Sequence, residues 1–207
     1  MSRNNNWWTT QPHNKQYHKL HRIGIVGNWA GTYDPETNTT NDYYNDTYLG
    51  NGYINNTINN GASFSGAQGS LVAGNTFTGT TTIAKESTVK DNKFYNTTTI
   101  KQYSNVTDNQ FNDTTTIQKY SNVIDNTFNN TVTINEYSNV TNNIFKSDVT
   151  LKNNINFKNN NAENSTLNIN GANCYLCNNT INMLVVTQAA TNTMVCNDNQ
   201  ISETDDE

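Results

Sequence analysis

Phe94-Tyr-Asn-Thr-Thr-Thr-Ile100-Lys-Gln-Tyr-Ser-Asn-Val106-Thr-Asp-Asn-Gln110 is followed at once by Phe111-Asn-Asp-Thr-Thr-Thr-Ile117-Gln-Lys-Tyr-Ser-Asn-Val123-Ile-Asp-Asn-Thr127. The second stretch repeats the first 17 residues on, and the same step runs outward in both directions. Phe77, Phe94, Phe111, Phe128 and Phe145 form one column. Ile83, Ile100, Ile117, Ile134 and Leu151 form a second, and Val72, Val89, Val106, Val123, Val140 and Phe157 a third. Asn75, Asn92, Asn109, Asn126, Asn143 and Asn160 form a fourth. Columns that keep register at one fixed period mark a stacked-repeat architecture.

The residue types select strands over helices. Asn, Thr, Val, Ile and Phe are poor to middling helix formers. Thr, Val, Ile, Phe and Tyr suit strands, and Asn and Asp suit turns and left-handed backbone. Within a unit the apolar positions alternate over short runs, as in Thr-Thr-Thr-Ile, which is period two interrupted by corners. A coil of 17 residues holds three short strands and three tight corners. Stacked coils pair in parallel about 4.8 Å apart. The expected fold is all-β: a single-stranded, right-handed parallel β-helix, its hand taken from the preference of parallel β-crossovers.

The repeat loosens outside the centre but continues. Tyr53-Ile54-Asn55-Asn56-Thr57-Ile58, Leu176-Cys177-Asn178-Asn179-Thr180-Ile181 and Cys196-Asn197-Asp198-Asn199-Gln200-Ile201 copy the Val-x-Asp-Asn-x-Phe corner. About nine such corners give a rod roughly 40 Å long. The division expected is an irregular N-terminal arm and cap at 1–50, a β-helix at 51–202 and an acidic tail at 203–207. Over roughly 50–202 the motif resembles the parallel β-helix repeat of polysaccharide-processing enzymes, phage tailspikes and other virion proteins. That resemblance implies a fold, and only loosely a function.

Each column has an expected role. Phe94, Ile100, Val106 and their equivalents point inward. Thr81, Thr98, Thr115, Val132 and Val149 share an inward column, in which a stacked neighbour can satisfy each hydroxyl. The Asn92 column makes an internal ladder, each amide donating to the next rung and accepting from the last. Tyr103, Tyr120 and Tyr137 stack at a second corner. Outward, the pairs Thr80/Thr82, Thr97/Thr99, Thr114/Thr116 and Thr131/Thr133 form a Thr-x-Thr face, broken at Asp148/Thr150. Spacings of about 4.8 and 6.8 Å follow from strand geometry. The face resembles the ice-binding arrays of some insect antifreeze solenoids; alternatively, it is a favourable exposed strand residue copied by duplication.

Asp91, Asp108 and Asp125 stack beside the Asn ladder. They are expected to be exposed turn residues, the other reading being a Ca²⁺ site. Cys174-x-x-Cys177 is half a zinc motif without its second half. Three Cys clustered at one end do not make a disulfide framework. Cys174 lies 17 residues after Phe157, and Cys196 stands at the Val position of the last corner copy, so both are placed in the Val column and the thiols are expected to pack as small hydrophobes. No metal and no cofactor are expected.

Composition narrows the function classes. Of 207 residues, 43 are Asn and 32 Thr, and 33% are hydrophobic, so the polarity is mostly uncharged. The longest apolar run, Met183-Leu184-Val185-Val186, is far short of the roughly 18 residues a membrane span needs. A pI near 5.1 argues against a nucleic-acid partner. His13, His18 and His21 lie close in sequence but without a nucleophile, phosphate loop or HExxH pattern, and the expectation is no enzyme. Met1–Trp8 has no apolar core of a secretory signal, which points to an assembled structure such as a virion, or else to the cytoplasm.

The two ends carry the docking candidates. Arg3, Trp7, Trp8 and Arg22 lie in a basic, aromatic arm that caps the first coil, anchors the rod, or does both. Met183 and Val185 with Met194 leave apolar surface at the far end, expected to meet another chain or a second copy. The function expected is a structural, non-enzymatic rod of a virion, fibre or surface assembly. An ice-binding solenoid is the alternative, and a glycan-binding or glycan-cleaving β-helix the third reading.

Overall fold

The computed structural model describes residues 69–206, together with strand segments at 32–34, 39–41, 52–54, 57–58 and 64–65. It is a parallel β-solenoid of about eight turns with three short strands per coil. The first face stacks nine strands, from Gly52–Ile54 through Asn105–Thr107 to Met194–Val195. The second runs through Lys93–Phe94, Gln110–Phe111 and Thr127–Phe128, the third through Thr98–Ile100, Thr115–Ile117 and Val132–Ile134. Second and third faces merge where Asn161–Ile169 runs round the corner as one strand. Within the span expected as an irregular arm, Thr32–Asp34 pairs antiparallel with Thr39–Asn41.

The register is the one the columns demand. Phe94 pairs with Phe77 and Phe111, Ile100 with Ile83 and Ile117, and Val106 with Val89 and Val123. All of these side chains are fully buried. The Phe rings stack parallel with centroids 4.8 Å apart from Phe77 to Phe128, the rung spacing itself. A stacked aromatic pair adds about 0.5–1.5 kcal/mol to the burial of its rings.

Polar groups in this interior are satisfied by translation from coil to coil. The Asn109 backbone N–H and Nδ2 both donate to Asn126 Oδ1, at 2.9 and 3.0 Å. Its Nδ2 also donates to the Val89 carbonyl in the coil before, at 2.9 Å. The same Oδ1 bridge links each Asn of this column, from Asn75 to Asn199. Buried amides would otherwise cost about 1–3 kcal/mol per unpaired group.

A second buried polar column was not anticipated. Ser87, Ser104, Ser121 and Ser138 each donate a hydroxyl to the carbonyl three residues earlier, at 2.8 to 3.0 Å. The hydroxyl oxygens of Ser104, Ser121 and Ser138 in turn accept the Ser backbone N–H of the preceding coil, at 3.2 to 3.4 Å. The column's sequence signal is the Ser two residues before each Val, as in Ser87-Thr88-Val89 and Ser104-Asn105-Val106.

Left-handed residues turn two of the corners. Asp91, Asp108, Asp125, Asn142 and Asn159 have φ between 54° and 58°, a conformation Asp and Asn tolerate. The other corner uses Tyr103, Tyr120 and Tyr137 at φ 59° to 61°. Their rings stack 5.0 and 4.9 Å apart and remain 40–53% exposed, as expected of a stacked corner.

Two expectations need correction. The inward Thr hydroxyls do not bond their stacked neighbours. Thr81, Thr98 and Thr115 donate to the carbonyl two residues back, at Gly79, Asn96 and Asp113, because the corner brings that oxygen within 2.9 to 3.0 Å. Residues 203–206, expected in a separate acidic tail, continue the strand Gln200–Asp206, which pairs with Thr180–Val186.

Candidate functional site

The outward Thr face is in register. Thr82, Thr99, Thr116, Thr133 and Thr150 are direct cross-strand partners and half-buried. Thr80, Thr97, Thr114 and Thr131 are exposed, and Thr114 and Thr131 hydroxyls approach to 3.4 Å. The side chain before each Thr shapes the corner that presents them: Asn96, Asp113 and Asn130 Oδ1 each accept the following Thr N–H at 2.7 Å. The face then changes character. Thr150 pairs with Asn168, Asn168 with Val185, and Val185 with Asp205.

A shallow groove runs along the Asp corner, lined by Asp91, Lys93, Asp108, Gln110, Asp125 and Thr127. The three carboxylates are exposed, as turn residues should be. Lys90 approaches Asp91 at 3.5 Å with both side chains about half exposed, a pair worth at most about 1 kcal/mol.

The docking candidates separate in the structure. Arg3, Trp7, Trp8 and Arg22, like the three His, lie outside the described residues. Met194 is 59% exposed. Met183 is half-buried and Val185 only 9% exposed, so the expectation that the 183–186 run leaves apolar surface on both sides holds poorly. The reason is register: Leu184 and Val186 continue the Leu167 and Ile169 core columns, and Gln200–Asp206 pairs along the strand.

The cysteines differ most from expectation. Cys177 and Cys196 are joined in a disulfide, with Cα atoms 5.1 Å apart. Neither occupies the Val column. Residues inserted in the 160s and 170s put Leu176 on Phe157, and further ones between Val186 and Met194 put Val195 on Leu176. That leaves Cys177 on the outward side, over Lys158, with Cys196 beside it. One insertion falls at Gly171, where a Cβ would collide with the Lys152–Asn153 backbone. Cys174 is buried as expected, but it stacks on Ile155, at the end of the Ser column. Its thiol donates to the Lys152 carbonyl at 3.1 Å. Burial raises its pKa, against a lowering by the Ile155 and Asn154 backbone. Asp198 lies beside the disulfide and accepts the Asn178 N–H at 3.1 Å.

No family model, curated protein or solved structure matches the chain. No helix among the described residues is long and apolar enough to cross a membrane.

Proposed function

We propose that this chain is a non-enzymatic structural rod, a component of a virion, fibre or surface assembly docked through its N-terminal arm and C-terminal coils. The supporting observation is the unbroken Asn ladder from Asn75 to Asn199, in register with the Phe stack. Such an interior resists bending and shear, because no coil can shift without breaking two hydrogen bonds to the next Asn. The exposed Met194 and Val195 supply apolar contact area at one end. Sedimentation velocity over a range of concentrations tests the reading. Species larger than the monomer are expected, reduced to monomer by Met194→Lys at unchanged melting temperature. A monomer at all concentrations, unaffected by the substitution, would count against self-docking.

A second reading rests on the Thr face. Four rungs of exposed Thr80, Thr97, Thr114 and Thr131, backed by a straight column of half-buried Thr, make a regular hydroxyl and methyl array suited to ordered water. Ice-recrystallisation inhibition by the native chain, lost in Thr97→Lys/Thr114→Lys, is the outcome this reading requires.

A further inference from the structure

The last coil is fastened differently from those before it. Its core-column residue, Val195, is 37% exposed, where Val140, Phe157 and Leu176 are fully buried. The Thr193 hydroxyl is buried without a hydrogen-bond partner. Between Val195 and Asn199 the corner is one residue longer than between Leu176 and Asn179. The coil is thus held by backbone pairing, by one Asn rung, by the Asn178–Asp198 hydrogen bond, by Ile201 against the core, and by one covalent bond on its outward side: the Cys177–Cys196 disulfide, which ties it to the coil before. Both cysteines are only half-buried, so a small thiol can reach them.

We propose that the Cys177–Cys196 bond is a redox latch on the terminal coil. Reduction lets residues 194–206 open locally and uncovers Leu176, Ile181 and Leu184, while the coils up to Asn160 stay closed. The chemistry balances with a dithiol reductant. One dithiol thiolate attacks a sulfur of the bond, the S–S bond breaks and one cysteine leaves as thiolate; the second dithiol sulfur then attacks the mixed disulfide and displaces the other cysteine as thiolate. Cys177 and Cys196 end as thiols with two protons gained, and the dithiol ends as its cyclic disulfide. Cys174 takes no part: it faces the interior on the opposite side of the strand, bonded to the Lys152 carbonyl. The latch stands independently of the structural role proposed above, because opening is defined by the coil's own contacts. In an oxidising compartment the coil is closed, and in a reducing one it opens.

Hydrogen–deuterium exchange on the full chain, with and without dithiothreitol, tests this. Intact mass confirms reduction by a gain of two hydrogens. Amides in 194–206 should exchange roughly tenfold to a hundredfold faster once reduced, as local opening predicts, and those of 87–160 should not change. Cys177→Ser/Cys196→Ser should match the reduced protein under both conditions; the wild-type comparison decides if that variant fails to fold. Unchanged exchange at 194–206 after confirmed reduction overturns the proposal. So does acceleration spread equally through 87–160, or three alkylatable thiols in air-oxidised protein.

Discussion

From Asn75 to Asn160 each ladder Asn bonds the next one 17 residues on; the last two steps are 19, to Asn179, and 20, to Asn199. The central coils are near-copies, and the buried Phe, Asn and most Val and Ile there meet their own kind above and below. The C-terminal coils are not. They carry a register shift between Ala162 and Thr166, a glycine forced by close backbone approach, a disulfide, and partly exposed core columns. The difference teaches that repetition satisfies an interior cheaply only while the period holds. Once residues are inserted, the Asn ladder persists at steps of 19 and 20, but individual devices take over from the other columns.

The largest expected effect is in the central region. Ile117→Asp places a charge in a dry stack with no partner and should cost more than about 5 kcal/mol, read as loss of the cooperative thermal transition. Thr116→Asp, one residue away on the outward side, should cost under about 1 kcal/mol. Comparable losses for the two would contradict the inward and outward assignment.

Next, Asn109→Leu leaves the Asn92 amides and the Val89 carbonyl without their partner, at a cost of about 2–4 kcal/mol in denaturant unfolding. Asn199→Leu acts on a half-buried final rung and should cost about 1 kcal/mol or less. Equal costs would mean that the two regions are not stabilised differently.

The central columns were legible because each is a single residue type at a constant step: Phe111, Ile117, Val123 and Asn126 name their neighbours by counting. The Cys177–Cys196 bond was not. The same count, carried past inserted residues, puts Cys174 over Phe157, and the match of Cys196–Ile201 to the corner motif puts Cys196 in the core; both miss the true register. The Ser104 column was visible but mute, because Ser at a corner reads as a turn residue until its hydroxyl is seen capping a carbonyl inside the rod. The Thr98 partner was misjudged because period alone does not reveal how tightly the corner folds back. The docking candidates stand partly beyond the described residues, and Val185 shows that an apolar pattern on both sides of a strand need not leave both sides exposed.

Smaller effects sharpen the comparison. Burial keeps the Cys174 thiol protonated above its ordinary value of 9.0, so the unfolded chain loses that proton first as pH rises. The stability tied to Cys174 is therefore intact below about pH 9 and declines above it. Cys174→Ala should flatten the alkaline decline in melting temperature; an unchanged slope would place its cause elsewhere.

The smallest effect is expected at the Tyr corner. Tyr120→Asn relieves left-handed strain but interrupts the ring stack, and the two should offset to within about 0.5 kcal/mol. A destabilisation well beyond that would make the stack a main source of stability.

The central claim is that one 17-residue coil is the unit of this rod. Deleting Asn109–Asp125 joins Asp108 to Asn126 and keeps every column in register. Deleting Asn109–Ile117 joins Asp108 to Gln118 and breaks every column. Circular dichroism through a thermal melt compares them. The account predicts that the 17-residue deletion keeps the β-spectrum and melts within a few degrees of the full chain, whereas the 9-residue deletion loses the transition. If the longer, in-register deletion unfolds as completely as the shorter one, the coil is not the unit and the account is wrong.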